Sequence, residues 1–134
     1  MQMNRHKDEL AATYRQYISC LNDRTFASLG RFVDPVVVHN GRPLGLDGYR
    51  QMLESDVRAI PDLQFDIQLL TVDPPYVGSR LGFDCTPTGE LFGLPVNGRR
   101  IQFTENVFYE FSVSRIKTVW SVIDEAAIRR QIGE

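Results

Sequence analysis

The chain has 134 residues, 43% hydrophobic and 24% charged, with 15 Lys plus Arg against 17 Asp plus Glu and a formal net charge of -2. This composition excludes a disordered, fibrous or collagen-like chain, and the length suits one hydrophobic core, so a single domain over residues 1–134 is expected. The near-balance of charge gives no overall drive toward phosphate backbones, and Arg99-Arg100 and Arg129-Arg130 are isolated dipeptides that read as solvated charge, so no nucleic-acid partner is expected.

Met1 to Lys7 is polar, without the apolar segment of a secretory signal, and no run of 18 apolar residues follows; the expectation is a cytoplasmic protein with no membrane partner. Cys20 and Cys85 belong to no C-x-x-C pair and read as half-buried thiols. The two histidines, His6 and His39, stand apart from any ligand-spaced cluster, which argues against a zinc site.

In chain order, Leu10, Tyr14, Tyr17, Ile18 and Leu21 recur at three- and four-residue steps and predict an amphipathic helix over Arg5 to Leu21. Asn22 and Asp23 end it, and a short second helix runs through Phe26 and Leu29. Val33 to His39, rich in valine, predicts a strand that leads into the turn-forming Asn40-Gly41-Arg42-Pro43. A second long helix fits Leu46 to Ile60. Tyr49, Met52, Leu53, Val57 and Ile60 form its stripe, Arg50, Glu54, Asp56 and Arg58 face mostly away, Asp47 is the expected N-cap and Pro61 the stop.

Beyond Pro61 the period becomes two. Leu63, Phe65, Ile67 and Leu69 alternate with polar residues, Asp73-Pro74-Pro75 turns the chain, and Tyr76 to Cys85 sets Val77, Ser79, Leu81, Phe83 and Cys85 on one face. Gly89 to Gly98 reads as a loop ending in the hairpin signal Asn97-Gly98. Ile101 to Phe111 carries apolar residues at odd positions, interrupted by Glu105. The final strand, Ile116 to Asp124, sets Lys117, Val119, Ser121 and Ile123 against Thr118, Trp120, Val122 and Asp124, and a short helix over Glu125 to Ile132 follows. Four strands joined without helical crossovers should be largely antiparallel, giving an α+β domain with helices on one side of a curved sheet.

Three segments of this order, Ala59-Ile60-Pro61-Asp62-Leu63, T-P-T-G-E-L-F-G-L-P-V-N-G-R-R from Thr86 to Arg100, and R-I-K-T-V-W-S-V-I-D from Arg115 to Asp124, resemble the SnoaL-like polyketide cyclases. These share the cone of nuclear transport factor 2 and ketosteroid isomerase. The resemblance implies a conical α+β barrel with a deep apolar cavity, a homodimer through the outer sheet face, and no metal or organic cofactor. It also implies cyclase or isomerase-like acid/base chemistry, such as aldol closure, on a small hydrophobic carbonyl compound, with Asp124 as the acid/base. Two motifs depart from the family pattern: the histidine of a Gly-Thr-His-Thr-Gly run is Pro87 here, and a Glu-His pair before the tryptophan is Thr118-Val119. Those departures motivate a rival reading in which the same cone binds a small molecule without reaction or serves dimeric assembly.

Two readings of Asp124 stand side by side. It shares a strand face with Trp120 and Val122, so it is either a desolvated base in a cavity wall or the N-cap of the last helix. His39, at a strand end, is a candidate to polarise a carbonyl or shuttle a proton, or an ordinary strand-end residue. Arg80 shares a face with Asp84; if it points inward it can stabilise an oxyanion, and if outward both are surface residues. Tyr49, Met52, Leu53, Phe65 and Phe83 are candidate pocket wall. Phe92, Phe103, Phe108 and Trp120 join them, with Glu105 among them.

Overall fold

The computed structural model describes residues 2–133. Helix α1 (Gln2–Asp23) is followed by a 3-10 turn (Phe26–Arg31), strand β1 (Val33–His39) and helix α2 (Gly45–Ala59). Strands β2 (Asp66–Asp73), β3 (Tyr76–Cys85), β4 (Glu90–Leu91), β5 (Leu94–Pro95), β6 (Ile101–Ser112) and β7 (Arg115–Ile123) come next, and α3 (Glu125–Ile132) ends the order. Five strands form one sheet in the order β1-β7-β6-β3-β2; β1 runs parallel to β7 and the other neighbours are antiparallel. The result is an α+β fold in which α1 and α2 cover one face of a mixed sheet. Among the described residues no helix is long and apolar enough to cross a membrane.

The apolar stripe of α1 packs as its spacing predicts: Tyr14, Tyr17, Ile18 and Leu21 are buried. They meet the odd positions of β3 and β6, where Val77, Leu81, Ile101, Val107 and Tyr109 are also buried. This alternation fixes which side of the sheet is inside, because cross-strand partners share a face. Phe108, at an even position, pairs with Trp120 of β7 and Asn106 with Val122, so Trp120 and Val122 are on the outer face.

Four local expectations are corrected. Leu63 and Phe65 precede the strand, and a register shift between Ile67 and Leu69 turns the later residues over, leaving Leu69 exposed and Val72 buried; an irregularity of this kind breaks strict alternation. The segment Gly89–Gly98 contains the small β4–β5 hairpin. Asp47 lies inside the first turn of α2, whose N-cap is Leu44 with no side-chain hydrogen bond. Cys20 and Cys85 are free, as expected, but buried rather than half-buried.

Candidate functional site

Between α1, α2 and the concave face of the sheet lies a cavity of about 360 Å3, with a side lobe of about 80 Å3 that shares Asp56, Phe65, Phe92, Glu105 and Ile123 with it. Most of its wall is apolar: Leu21, Met52, Leu53, Leu81, Val107 and Val119 contribute. Phe83 and Phe103, stacked with centroids 5.0 Å apart, wall the side lobe, and Phe65 meets Phe83 edge-on at 5.4 Å. Phe92, at the tip of the β4–β5 hairpin, is 44% exposed and reaches both chambers.

Two carboxylates enter this wall. Glu105 is at an odd position of β6, between Leu81 on β3 and Ile123 on β7, and therefore points inward with the core residues. Burial pushes its carboxyl above the usual range, against the lowering effect of the hydrogen bond it accepts from the Ser121 hydroxyl. Asp56 comes from α2, where Tyr49, Leu53, Asp56 and Ile60 succeed one another at three- and four-residue steps on one stripe. The expectation that Asp56 faces away is thus overturned by the same spacing that defines the apolar stripe. Its carboxyl accepts no hydrogen bond from the described residues, and burial, followed by the charge of Glu105, raises it from 3.8 to about 6.

His39 borders the cavity at the end of β1, with its ring 6.2 Å from that of Tyr49, edge to face. Burial, then the nearby Arg42 charge, lowers its pKa and favours the neutral imidazole. Behind it, Asn40 ties β1 to β7 through both ends of its side-chain amide: Nδ2 donates to the Ser121 carbonyl at 3.2 Å, and Oδ1 accepts from the Ser121 amide at 2.8 Å. Asn40 adopts φ 47°, a left-handed conformation that Asn tolerates better than most residues. One segment thus holds both His39 and Ser121, and through Ser121 it holds Glu105. Deeper still, the Tyr17 and Tyr49 hydroxyl oxygens are 2.6 Å apart, and burial raises both phenols well above their ordinary value.

The structure separates the remaining sequence candidates from this chamber. Asp124 is exposed, and its Oδ1 accepts from the Ala127 amide at 3.1 Å as the N-cap of α3. Of its two readings, the cap is the geometry observed. Arg80 projects from the outer face and donates to Gln68 at 3.1 Å. Asp84, also outside, is gripped by Arg100 through two bonds of 2.7 Å, which hold its carboxyl below the usual range. Phe108, 60% exposed, and Trp120, 44% exposed, are outer-face residues rather than pocket wall. Arg80, Asp84 and Asp124 border a broader groove of about 530 Å3 that opens to solvent along these residues and Gln102. The smaller cavity is the better candidate, because it combines an apolar wall with two carboxyl groups that make no ion pair among the described residues, one of them without a hydrogen bond.

Chemically, the cavity presents one carboxyl raised to about 6, a second that burial also raises, and an imidazole whose pKa burial lowers. That set suits proton transfer at carbon. Among the described residues no group of three His, Cys, Asp or Glu is disposed to hold a metal ion.

Comparison with known proteins places this geometry in context. Residues 11–132 match the family model described as SnoaL-like polyketide cyclase. A SnoaL-like polyketide cyclase from Agrobacterium tumefaciens is 52% identical, with a TM-score of 0.92 over 92% of this chain and 98% of that one. IdmH from Streptomyces antibioticus shares the fold at 19% identity and a TM-score of 0.80, covering 93% of this chain and 99% of its own. AclR from Streptomyces galilaeus does so at 19% identity and 0.78, covering 95% and 97%. The curated proteins return no match. A family model spanning nearly the whole chain, together with a relative identical at half its positions, establishes that this protein belongs to the SnoaL-like polyketide cyclase family and has its nuclear transport factor 2-like cone.

Proposed function

We propose that the protein is a cofactor-independent acid/base catalyst acting on a small hydrophobic carbonyl compound, by enolisation followed by aldol cyclisation or isomerisation. Asp56, ionised above about pH 6, takes a proton from the carbon next to a carbonyl, and the C–H electron pair moves into the enolate. In aldol closure the enolate carbon attacks a second carbonyl of the same molecule, and Glu105 supplies the proton to the alkoxide so formed. In isomerisation Glu105 instead delivers its proton to a remote carbon. His39, whose pKa is lowered by burial, relays the proton from Asp56 back to Glu105 at the mouth, so that both carboxyls return to their starting forms. The role that the family resemblance gives to Asp124 thus falls to Asp56 and Glu105. The observation that carries this reading is an unpaired carboxyl, raised to about 6, in an apolar chamber beside a second buried acid.

The test is deuterium uptake at the α-carbon of cyclic ketones in D2O, followed by NMR. Uptake should rise as pH passes through about 6, fall at least about 100-fold in Asp56→Asn, and fall less in Glu105→Gln. Retention of full exchange in Asp56→Asn sinks the assignment; ligand binding without any exchange favours a non-catalytic binding protein. The outer face, with Leu69, Phe108, Trp120 and Val122 exposed, supports a homodimer formed through the sheet.

A further inference from the structure

Two turns in the loop between β3 and β6 have the same backbone and different residues. The β4–β5 hairpin closes Leu91 on Leu94 through Phe92 and Gly93, whose φ angles are 52° and 76°. Asn97 and Gly98, further along the loop, take 53° and 84°. Consecutive left-handed residues are the conformation that Asn-Gly makes most readily, and a bulky side chain there is strained. The turn itself therefore gives no reason for phenylalanine at position 92. What the ring gains lies outside the turn: it meets Phe103 edge-on, with centroids 6.4 Å apart, and borders both the main chamber and the side lobe.

The lobe differs from the chamber in its walls. Beyond the neck that the two share, it is lined by Ile60, Leu63, Phe83, Leu91 and Phe103, all buried and all apolar. The polar side chains on it are the two carboxyls at the neck, Asp56 and Glu105. Close-packed interiors leave few voids larger than a water molecule, and an apolar recess of about 80 Å3 gives water little to bond to. At roughly 30 Å3 for each water-sized or methylene-sized group, the recess takes about three carbons in a row.

We propose that the side lobe is a subsite for a short unbranched alkyl substituent on the carbon that loses its proton, and that Phe92 sets the length of that substituent. The proposal rests on the reading of Asp56 and Glu105 as the reacting pair, and deepens it. With the substituent in the lobe and the rest of the ligand in the main chamber, the carbon that joins them lies at the neck, where both carboxyls are. Asp56, Glu105 and Ile123 are fixed at the neck by α2, β6 and β7. Phe92 stands on a hairpin tip instead, so its wall of the neck changes without rearranging the sheet.

NMR titration of the full chain with cyclohexanone and its α-methyl, α-propyl, α-pentyl and α-heptyl derivatives tests it. Affinity should rise about fourfold per added methylene as far as the propyl group and level off by pentyl. In Phe92→Asn, which keeps the turn in the form that Asn97 already takes, the rise should continue through heptyl. In Leu63→Phe, which adds bulk to a wall that borders the lobe and not the chamber, the gain from methyl to propyl should disappear while cyclohexanone itself binds as before. A rise that continues past pentyl in the wild type, a levelling point that Phe92→Asn leaves in place, a gain that survives in folded Leu63→Phe, or no binding by any member of the series overturns the proposal. The wild-type series needs no variant to fold. Length dependence without deuterium exchange leaves the subsite standing and removes the acid/base reading; exchange without length dependence does the reverse.

Discussion

Replacing Asp56 by Asn should make the protein more stable at alkaline pH while disabling it. Burial in the cavity wall raises the Asp56 carboxyl from 3.8 to about 6, so the folded protein holds this proton more tightly than the unfolded chain does. The stability that this group contributes is therefore complete below about pH 3.8 and is lost as pH rises to about 6. A displacement of that size corresponds to an upper limit of about 3 kcal/mol, and solvent entering the chamber reduces it to about 1–2 kcal/mol. Asn keeps the shape and cannot ionise. In urea unfolding, Asp56→Asn should match the wild type near pH 4 and exceed it by about 1–2 kcal/mol at pH 8. That gain raises Tm by about 3–7 °C for a chain of this length. Glu105 is present in both proteins, so the difference between them reports Asp56 together with its coupling to Glu105. A variant less stable than wild type at pH 8, or a difference that does not change with pH, would refute the argument that a desolvated, unpaired charge is stored in the cavity.

Asp124→Ala should cost about 1 kcal/mol by removing the cap on Ala127, with exchange per folded molecule unchanged; a specific loss of activity would return the acid/base role to Asp124. Asn40→Ala, which deletes both bonds to the Ser121 backbone, should cost about 2 kcal/mol in urea unfolding, and an unchanged midpoint would contradict its role as the clasp between β1 and β7. Ser121→Ala removes the hydroxyl that favours ionised Glu105, so the Glu105 carboxyl should titrate higher still by NMR, and a downward shift would contradict this. Phe108→Glu should convert the proposed dimer to monomer in sedimentation, since it sets a charge in the exposed apolar patch; an unchanged dimer would locate the interface elsewhere.

Periodicity determined most of this fold. The three- and four-residue steps of Tyr14, Tyr17, Ile18 and Leu21, and the alternation from Ile101 to Phe111, define their elements without knowledge of any neighbour, because burying one face of a helix or strand needs only local spacing. The sequence alone also sets Glu105 on the apolar face of its strand. What it leaves open is the side of each strand that is enclosed: Asp124 and Trp120 share a face on parity, but only the pairing of Trp120 with the exposed Phe108 shows that face to be the outer one. Local spacing likewise misses the register shift in β2, where strand pairing overrides alternation. Asp56 is the instructive residue. Its three- and four-residue steps from Leu53 and to Ile60 were visible, yet a charged side chain on a helix ordinarily belongs to the solvent face. It faces inward because α2 lies over an unfilled space in the cone rather than against packed side chains. Whether a carboxyl sits in water or in a cavity is decided by elements remote in sequence, and so only by the tertiary structure.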